Sequence, residues 1–201
     1  MKLAVLLLVA AGLAAFVVQL RFVWPFVADD AFITFRYASN WVHGYGPTFN
    51  PGGPRVEGFT SSGFVALSAL PLLVGVSPVS FAKAIGVLSA LATAVLLARL
   101  TLDLDANDEA TDSRPASGAR LALAAAFASA LWLGFHATAV HASSGMETLL
   151  ATALLTALTS VGWSLRCGRP RPLPLFGTLA LLLGLLRPEL NVAAGALVLA
   201  L

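Results

Sequence analysis

The sequence predicts an all-α membrane protein, a polytopic bundle of transmembrane helices. Charged residues make up only 11% of the 201 residues and hydrophobic residues 58%, whereas soluble domains carry roughly 25% charged residues. The mean hydropathy is correspondingly high, at +0.87. Apolar runs recur along the chain, close to the ~20 residues that a helix needs to cross a hydrocarbon core roughly 30 Å thick. These observations predict that the chain lies in a lipid bilayer.

The residue inventory excludes several other classes of protein. The formal net charge is +2, and no basic run is present that could follow the phosphates of a nucleic acid. The single cysteine, Cys167, excludes an intramolecular disulfide and a cysteine metal cluster. His136 and His141 do not fit the H-E-x-x-H zinc pattern, and no nucleotide-binding glycine motif occurs. We therefore expect neither a nucleic-acid partner nor a nucleotide fold within this chain.

Six apolar segments are predicted to be spans. The first could be a secretory signal peptide, because one lysine precedes its long apolar core, but the later spans favour a retained helix. The last lies in an apolar run at the end of the sequence. We expect the chain to be the N-terminal part of one transmembrane domain whose C-terminal remainder is missing. The predicted spans are residues 3–20, 79–98, 120–140, 146–165, 173–186 and 190–201.

The stretch 62–77, "SGFVALSALPLLVGVS", is short and interrupted by Pro71 and Gly75. If it does not cross the membrane, Lys2 and the arginine-rich "RCGRPRP" loop both face the cytoplasm, as the positive-inside rule favours. We therefore predict a bent interfacial or re-entrant helix within an outer loop over 21–78. On this topology the extracytoplasmic face carries residues 21–61, 141–148 and 187–189.

The outer loop is predicted to begin with an amphipathic helix lying in the membrane interface. Asp29 or Asp30 would start it and Gly44 would end it. Its apolar and polar residues separate onto two faces, with Phe32, Phe35 and Val42 on one and Arg36, Asn40 and His43 on the other. The Gly- and Pro-rich stretch that follows is predicted to be an irregular loop.

Asp29 and Asp30 have two interpretations. In the structural one, the first caps the helix and the second lies favourably at the positive end of the helix dipole. In the functional one, one carboxylate is a general base within hydrogen-bond reach of a hydroxyl, and its neighbour orients the acceptor or binds a divalent cation. Arg36 would then either bind a phosphate or form an internal ion pair with the aspartates.

Two later motifs carry further polar residues. "SSGMETLL" contains Ser144 and Glu147 at the spacing of a capping box that would open the fourth span. In "LLRPEL", Pro188 disfavours helical geometry at the residue before it. Arg187 and Glu189 would be costly in lipid. We expect these two charges to lie in a cavity, either paired or bound to an anion.

The longest of these motifs resembles a known family. "ADDAFITFRYASNWVHGYGPTFNPGGPRVEGFTSS" is similar to the first outer loop of bacterial GT-C glycosyltransferases, nearest to the branch of the terminal arabinofuranosyltransferases. "SSGMETLL" and "LLRPEL" resemble two later stretches of the same family, in the same order. The resemblance covers essentially the whole chain, and 29–61 is its most specific part.

The resemblance implies a multi-pass enzyme of the bacterial cytoplasmic membrane with its active site on the extracytoplasmic face. Such an enzyme transfers a sugar, with inversion, from a polyprenyl-phosphate donor to a glycan or lipid acceptor of the cell envelope. Asp29 and Asp30 become the catalytic candidates, and analogy slightly favours Asp29 as the base. A divalent cation at this pair is permitted but not required. The candidates for the donor phosphate are Arg36, Arg55 and Arg187, and those for the sugar or acceptor pocket are Glu57 and Glu147.

Two other functions are compatible with the residues. A transporter or lipid flippase would place charges within its spans, along a pathway. A non-catalytic membrane scaffold would use Asp29 and Asp30 only to begin a helix. The nearly charge-free spans and the gathering of charges at one rim favour the interfacial enzyme. Full-length members of the family continue through further spans, often to a soluble outer domain, and acceptor recognition could lie there.

Overall fold

The computed structural model describes residues 1–54, 56, 58–108, 118–168 and 173–199. Over these residues the fold is entirely helical, as the composition predicts. The helices are α1 (Lys2–Val23), α2 (Asp29–Val42), α3 (Ser62–Leu73), α4 (Pro78–Asp108), α5 (Gly118–Gly134), α6 (His136–Ser143), α7 (Thr148–Arg166), α8 (Leu173–Leu186) and α9 (Asn191–Leu199), with a 3-10 turn, Pro188–Leu190, between the last two.

Three helices of the described chain are long and apolar enough to cross a membrane. They are α1, α4 over Pro78–Leu104, and α7. The pair α5 and α6, bent by 56° at its junction, would be a fourth if it counts as one broken span. The fold is therefore that of a membrane protein with three to four candidate spans.

The span predicted at 120–140 is broken between α5 and α6. Phe135 adopts an extended conformation, with φ −73° and ψ 122°, and interrupts the helix. Polar side chains satisfy the carbonyls that the break frees, since Gln19 donates to the Gly134 carbonyl at 3.0 Å and Thr138 donates to the Trp132 carbonyl at 2.8 Å. A broken helix is tolerated at membrane depth only where such partners exist.

The remaining apolar helices are shorter. Helix α3 has 12 residues, which corresponds to a length of about 18 Å at 1.5 Å per residue. It is too short to cross as a single helix, and this is consistent with the interfacial placement predicted for 62–77. Helix α8 has the bounds predicted for a span, 173–186, but only 14 residues, and α9 has 9 residues within the predicted 190–201. Both are shorter than the ~20 residues that a span needs, and residues 200–201 lie outside the described residues.

Small residues bring the long helices together. A Cβ built on Gly12 of α1 would lie 2.7 Å from the Cα of Ala130 in α5. A Cβ built on Gly86 of α4 would lie 2.5 Å from the backbone oxygen of Ala142 in α6. Close backbone approach at glycine and alanine is the usual way in which helices associate in lipid, where no hydrophobic force drives them together. Helix α4 lies at the centre of this bundle and contacts α3, α5, α6 and α7.

Helices α2 and α3 pack against each other, and the loop between them folds back onto α2. The buried Tyr37 donates its hydroxyl to the Val56 carbonyl at 2.7 Å and accepts the Gly58 N–H at 3.1 Å. Asn40 donates to the Thr48 carbonyl at 2.7 Å. The loop predicted to be irregular is therefore ordered by side chains of α2 where it is described, and this ordering shapes the surface around the two aspartates.

A buried lysine joins the end of α1 to α4. Lys83 is 6% exposed, donates to the carbonyl of Trp24, and lies 5.0 Å from the centroid of the Trp24 ring. Trp24 is the C-terminal cap of α1, where carbonyls lack helical partners and a cation is favoured. The lysine thereby fixes the chain just before it enters α2.

Candidate functional site

Asp29 and Asp30 are the first two residues of α2. The prediction that one of them caps the helix is wrong, because Ala28 occupies the cap position and no side chain bonds to the first turn. Both carboxylates lie where the positive end of the helix dipole favours a negative charge. Both are exposed, and neither forms an ion pair with any residue that the structure describes. They are available to a ligand.

The start of α2 rests on the turn before α7. Ala28 donates its backbone N–H to the Ser144 carbonyl at 2.9 Å. Gly145 has a φ of +79°, and a Cβ built on it would lie 3.1 Å from the Cβ of Ala31 and 3.3 Å from Val27 Cγ1. Glycine therefore serves both the turn and the close contact. This contact places Glu147 near Asp30.

The predicted capping box at Ser144 and Glu147 is not formed. Helix α7 begins at Thr148 with Glu147 in the cap position, and no side chain bonds to the helix end. Ser144 instead accepts the Met146 N–H at 3.2 Å and donates to the His141 carbonyl at 3.0 Å. The Glu147 carboxylate has a stronger partner elsewhere in the fold, and that partner is Arg187.

Arg187 joins two carboxylates. Its Nε lies 2.8 Å from Glu147 Oε1, and its terminal nitrogen lies 3.1 Å from Glu189 Oε1. Glu147 is only 3% exposed, so the guanidinium compensates a buried charge. The pKa of the exposed Glu189 carboxyl lies below its usual value. The larger cause is a hydrogen bond from the backbone N–H of Glu189 itself, and the next is the hydrogen bond from Arg187. Arg187 is therefore paired, one of the two outcomes that the sequence predicted.

The two aspartates open onto different cavities beside α2. The cavity with Asp29, here the aromatic cavity, measures about 580 Å³. The cavity with Asp30, here the polar cavity, measures about 620 Å³. Ile33 lines both cavities. The aromatic cavity is lined by Asp29, Phe32, Ile33, Phe35, Arg36 and Phe49. The polar cavity is lined by Asp30, Ile33, Thr34, Gly58, Phe59, Thr60, Ser61, Met146, Glu147 and Arg187.

Arg36 faces the aromatic cavity and is not paired with the aspartates. Its Nε donates to the Phe49 carbonyl at 3.1 Å, and its guanidinium carbon lies 5.9 Å from the centroid of the Phe49 ring, a cation–π distance. No carboxylate among the described residues pairs with it. The side chain is exposed and lines the cavity, and its two terminal nitrogens carry hydrogens that can be donated to a ligand.

Phe49 and Ser61 are among the lining residues that reasoning from sequence missed. Phe49 lies in the loop predicted to be irregular, and only the bonds that fold this loop onto α2 bring its ring to the cavity. Ser61 is 4% exposed, and its hydroxyl has no hydrogen-bond partner. A serine before an apolar run predicts a helix cap, and Ser61 does occupy the cap position of α3, without a side-chain bond.

Two of the predicted site residues, Arg55 and Glu57, lie outside the described residues. Over the part of the chain that the structure describes, no three histidine, cysteine, aspartate or glutamate side chains are grouped so that they could hold a metal ion. The divalent cation at Asp29 and Asp30 stays a prediction. Comparison of the chain with protein families, with characterised proteins and with solved structures gave no significant match.

Proposed function

We propose that the protein is a membrane glycosyltransferase that moves a sugar from a polyprenyl-phosphate donor to a glycan or lipid acceptor. The observation that carries the proposal is the pair Asp29 and Arg36. Both side chains are exposed, both line the aromatic cavity, and they are not paired with each other. A free carboxylate and a free guanidinium on one wall are what a base and a phosphate-binding cation require. The sequence resemblance to GT-C enzymes supports the same chemistry.

In this reaction Asp29 accepts the proton of an acceptor hydroxyl while that oxygen attacks the anomeric carbon of the donor sugar. The bond between the anomeric carbon and the phosphate oxygen breaks, and the lipid phosphate leaves with the electron pair. Arg36 stabilises the negative charge that develops on the leaving oxygen. Attack opposite to the leaving group inverts the configuration at the anomeric carbon.

The spacing of the two side chains suits this reaction. Asp29 and Arg36 are residues i and i+7 of α2, so they share one face and lie about 10.5 Å apart along the helix axis. Rings of Phe32, Phe35 and Phe49 line the cavity between and around them. Such rings offer an apolar surface to the C–H face of a sugar or to an isoprenoid chain. A sugar phosphate can lie along this wall between the base and the cation.

Arg187 is a weaker candidate for the donor phosphate than Arg36. It is already bound to Glu147 and Glu189, and a phosphate that displaced it from Glu147 would leave a buried carboxylate without its cation. We therefore assign the phosphate to Arg36, and to Arg187 the neutralisation of Glu147. Asp30 opens onto the polar cavity, so it is the second aspartate to test as a base.

The two rival functions have less support. A scaffold that used the aspartates to cap α2 would show a cap bond, and Ala28 occupies that position instead. A transporter would carry charges along its spans. Within the candidate spans that the structure describes, the buried charge is Lys83, and it bonds to the end of α1. That placement fits a structural role for Lys83 better than a role in a transport pathway.

The test is sugar transfer by the protein in nanodiscs, with a panel of radiolabelled polyprenyl-phosphate sugars. Asp29→Asn should reduce turnover on the active donor by about 100-fold or more, the usual contribution of a general base. Asp30→Asn, one position away and equally exposed, is the matched comparison and should cost less. Full turnover in both single variants and in the double variant, with normal thermal stability, would show that the proposed function is wrong.

A further inference from the structure

We propose that Asn40 is a positioning residue for the donor phosphate. It holds the carbonyl of Phe49, and this carbonyl orients the guanidinium of Arg36, which binds the phosphate through its two terminal nitrogens. The ligand, an isoprenoid phosphate, is taken from the proposed function, on which the inference rests. Asn40 itself is not among the described residues that line the aromatic cavity, so it acts on the ligand only through Arg36.

The side-chain amide of Asn40 joins α2 to the loop that follows it. Asn40 is 8% exposed, and its Nδ2 donates to two successive carbonyls, those of Thr48 at 2.7 Å and Phe49 at 3.0 Å. A carbonyl only accepts hydrogen bonds, so the atom that faces both of them must be the amide nitrogen with its two hydrogens. An aspartate would bring an oxygen to both carbonyls. The two bonds therefore depend on an amide at this position.

The Phe49 carbonyl is the link between Asn40 and Arg36. Besides the bond from Asn40, it accepts the Nε hydrogen of Arg36 at 3.1 Å, and a carbonyl oxygen has two lone pairs for two such donors. The Phe49 ring centroid lies 5.9 Å from the guanidinium carbon, and this second contact orients the same group. The backbone and the ring of one loop residue therefore set the orientation of the cation, and Asn40 fixes that residue in place.

The bond at Nε determines how an anion can bind to Arg36. A guanidinium pairs with an oxyanion through two parallel N–H bonds, either from Nε and one terminal nitrogen or from both terminal nitrogens. Because Nε already donates to Phe49, the two terminal nitrogens form the edge that is left for a phosphate. A guanidinium that is oriented before the ligand arrives loses less side-chain freedom on binding, and this is the effect that Asn40 contributes.

The experiment measures binding of tritiated geranyl phosphate and of tritiated geraniol to the protein in nanodiscs, with binding to empty nanodiscs subtracted. The two probes share the isoprenoid chain and differ in the phosphate. The parent protein should bind geranyl phosphate more tightly than geraniol. Arg36→Ala should weaken binding of the phosphate about 30-fold, the effect of hydrogen bonds to a charged group.

Asn40→Ala should weaken binding of geranyl phosphate about fivefold, because Arg36 must then be ordered by the ligand itself. Binding of geraniol should be unchanged, and this also shows that the variant is folded. An unchanged affinity for geranyl phosphate, or an equal loss of affinity for both probes, overturns the proposal.

Tyr37→Phe is the matched control for a general loosening of the loop. Tyr37 is buried in the same helix, and its hydroxyl also forms two hydrogen bonds with the loop, to the Val56 carbonyl and from the Gly58 N–H. Phenylalanine removes both bonds but keeps the ring, whose centroid lies 5.8 Å from that of Phe49. This variant should retain its affinity for geranyl phosphate. A loss equal to that in Asn40→Ala would show that general loop order causes the effect, and overturns the proposal.

A double-mutant cycle identifies the route of the effect. If Asn40 acts through Arg36, Asn40→Ala should add nothing to the loss of affinity in Arg36→Ala, since the group that it positions is already absent. A double variant in which the two losses multiply shows that Asn40 acts independently of Arg36, and overturns the proposal.

The two proposals fail separately. A parent protein that does not prefer geranyl phosphate, or whose preference survives Arg36→Ala, contradicts the assignment of the phosphate to Arg36 and with it the role of Asn40. Binding that depends on Arg36 but not on Asn40 contradicts the positioning role and leaves the transferase standing. Binding that depends on both residues, without transfer of sugar from any donor, contradicts the proposed function and leaves the positioning role standing.

Discussion

The backbone N–H of Ala28 donates a hydrogen bond of 2.9 Å to the carbonyl of Ser144, and so ties the first turn of α2 to the turn before α7. Asp29 and Asp30 follow Ala28, and Glu147 follows Ser144. The relative position of the aspartates and the buried glutamate therefore depends on contacts between two segments far apart in the sequence. Four predictions test this arrangement and the placement of the chain.

Gly145→Ala should disturb this contact. The backbone has a φ of +79° at Gly145, and the new methyl group would lie 3.1 Å from the Cβ of Ala31. We expect a loss of about 1–3 kcal/mol in the free energy of unfolding, together with reduced transfer. Gly46→Ala is the matched control, since Gly46 has a φ of +76° but nothing within 4 Å of its added Cβ. An equal loss of stability in both variants would show that backbone strain alone causes the effect.

Arg36→Ala and Arg187→Ala should differ in kind. Arg36 is exposed and lies at the aromatic cavity, so its loss should lower kcat/KM for the donor about 100-fold with little change in stability. Loss of Arg187 leaves Glu147 buried without its cation, and should cost about 3 kcal/mol of stability. Kinetics and chemical denaturation measure the two effects.

The double variant Arg187→Ala, Glu147→Gln provides the check on the second of these effects. Removing the buried charge should recover much of the lost stability, because a neutral amide is less costly to bury than an unpaired carboxylate. A double variant as unstable as Arg187→Ala alone would show that packing, and not charge, explains the loss.

The bond between Arg187 and Glu189 should weaken in acid. The pKa of Glu189 lies below its ordinary value of 4.5, so the folded state binds this proton less readily than the unfolded state. The stabilising contribution is therefore complete above pH 4.5 and is lost as the pH falls through the folded pKa. Denaturation midpoints measured from pH 7 to acid should fall less in Glu189→Gln than in the parent, and parallel curves would contradict the assignment.

Cys167 reports the side of the membrane. It is the C-terminal cap of α7 and is partly exposed, and the positive-inside rule places the basic loop that follows it in the cytoplasm. A membrane-impermeant maleimide should not label Cys167 in intact cells and should label it once the membrane is opened. Labelling from outside would reverse the predicted sidedness of Asp29, Asp30 and Glu147.

Local patterns in the sequence predict much of this fold. The long apolar runs at α1, α4 and α7 mark candidate spans because length and composition alone decide whether a helix can cross. The start of α2 at Asp29 follows from the acidic residues that are typical of a first turn. Helix α3 continues through Pro71 and ends at Leu73, just before Gly75 with its φ of +72°. Each of these predictions depends on neighbours along the chain.

Other features depend on partners that are distant in the sequence. Ser144 and Glu147 have the spacing of a capping box, but Glu147 pairs with Arg187 instead, and an ion pair outweighs a local cap. The break at Phe135 is stabilised by Gln19, more than a hundred residues earlier. Likewise, helical geometry predicts that the side chains of Asp29 and Asp30 point in different directions. The residues that surround each carboxylate come from the packed loop and from the start of α7, and local sequence does not predict them.

Ile33 lies one turn above both aspartates, and it lines the aromatic cavity and the polar cavity. An enzyme that handles a reactive sugar must keep water from the anomeric carbon as firmly as it admits the acceptor. Under the proposed function, this aliphatic side chain between the two aspartate cavities would influence fidelity, the ratio of sugar transfer to hydrolysis. A smaller residue there would open the two cavities to each other, which would ease entry of the acceptor and increase hydrolysis of the donor.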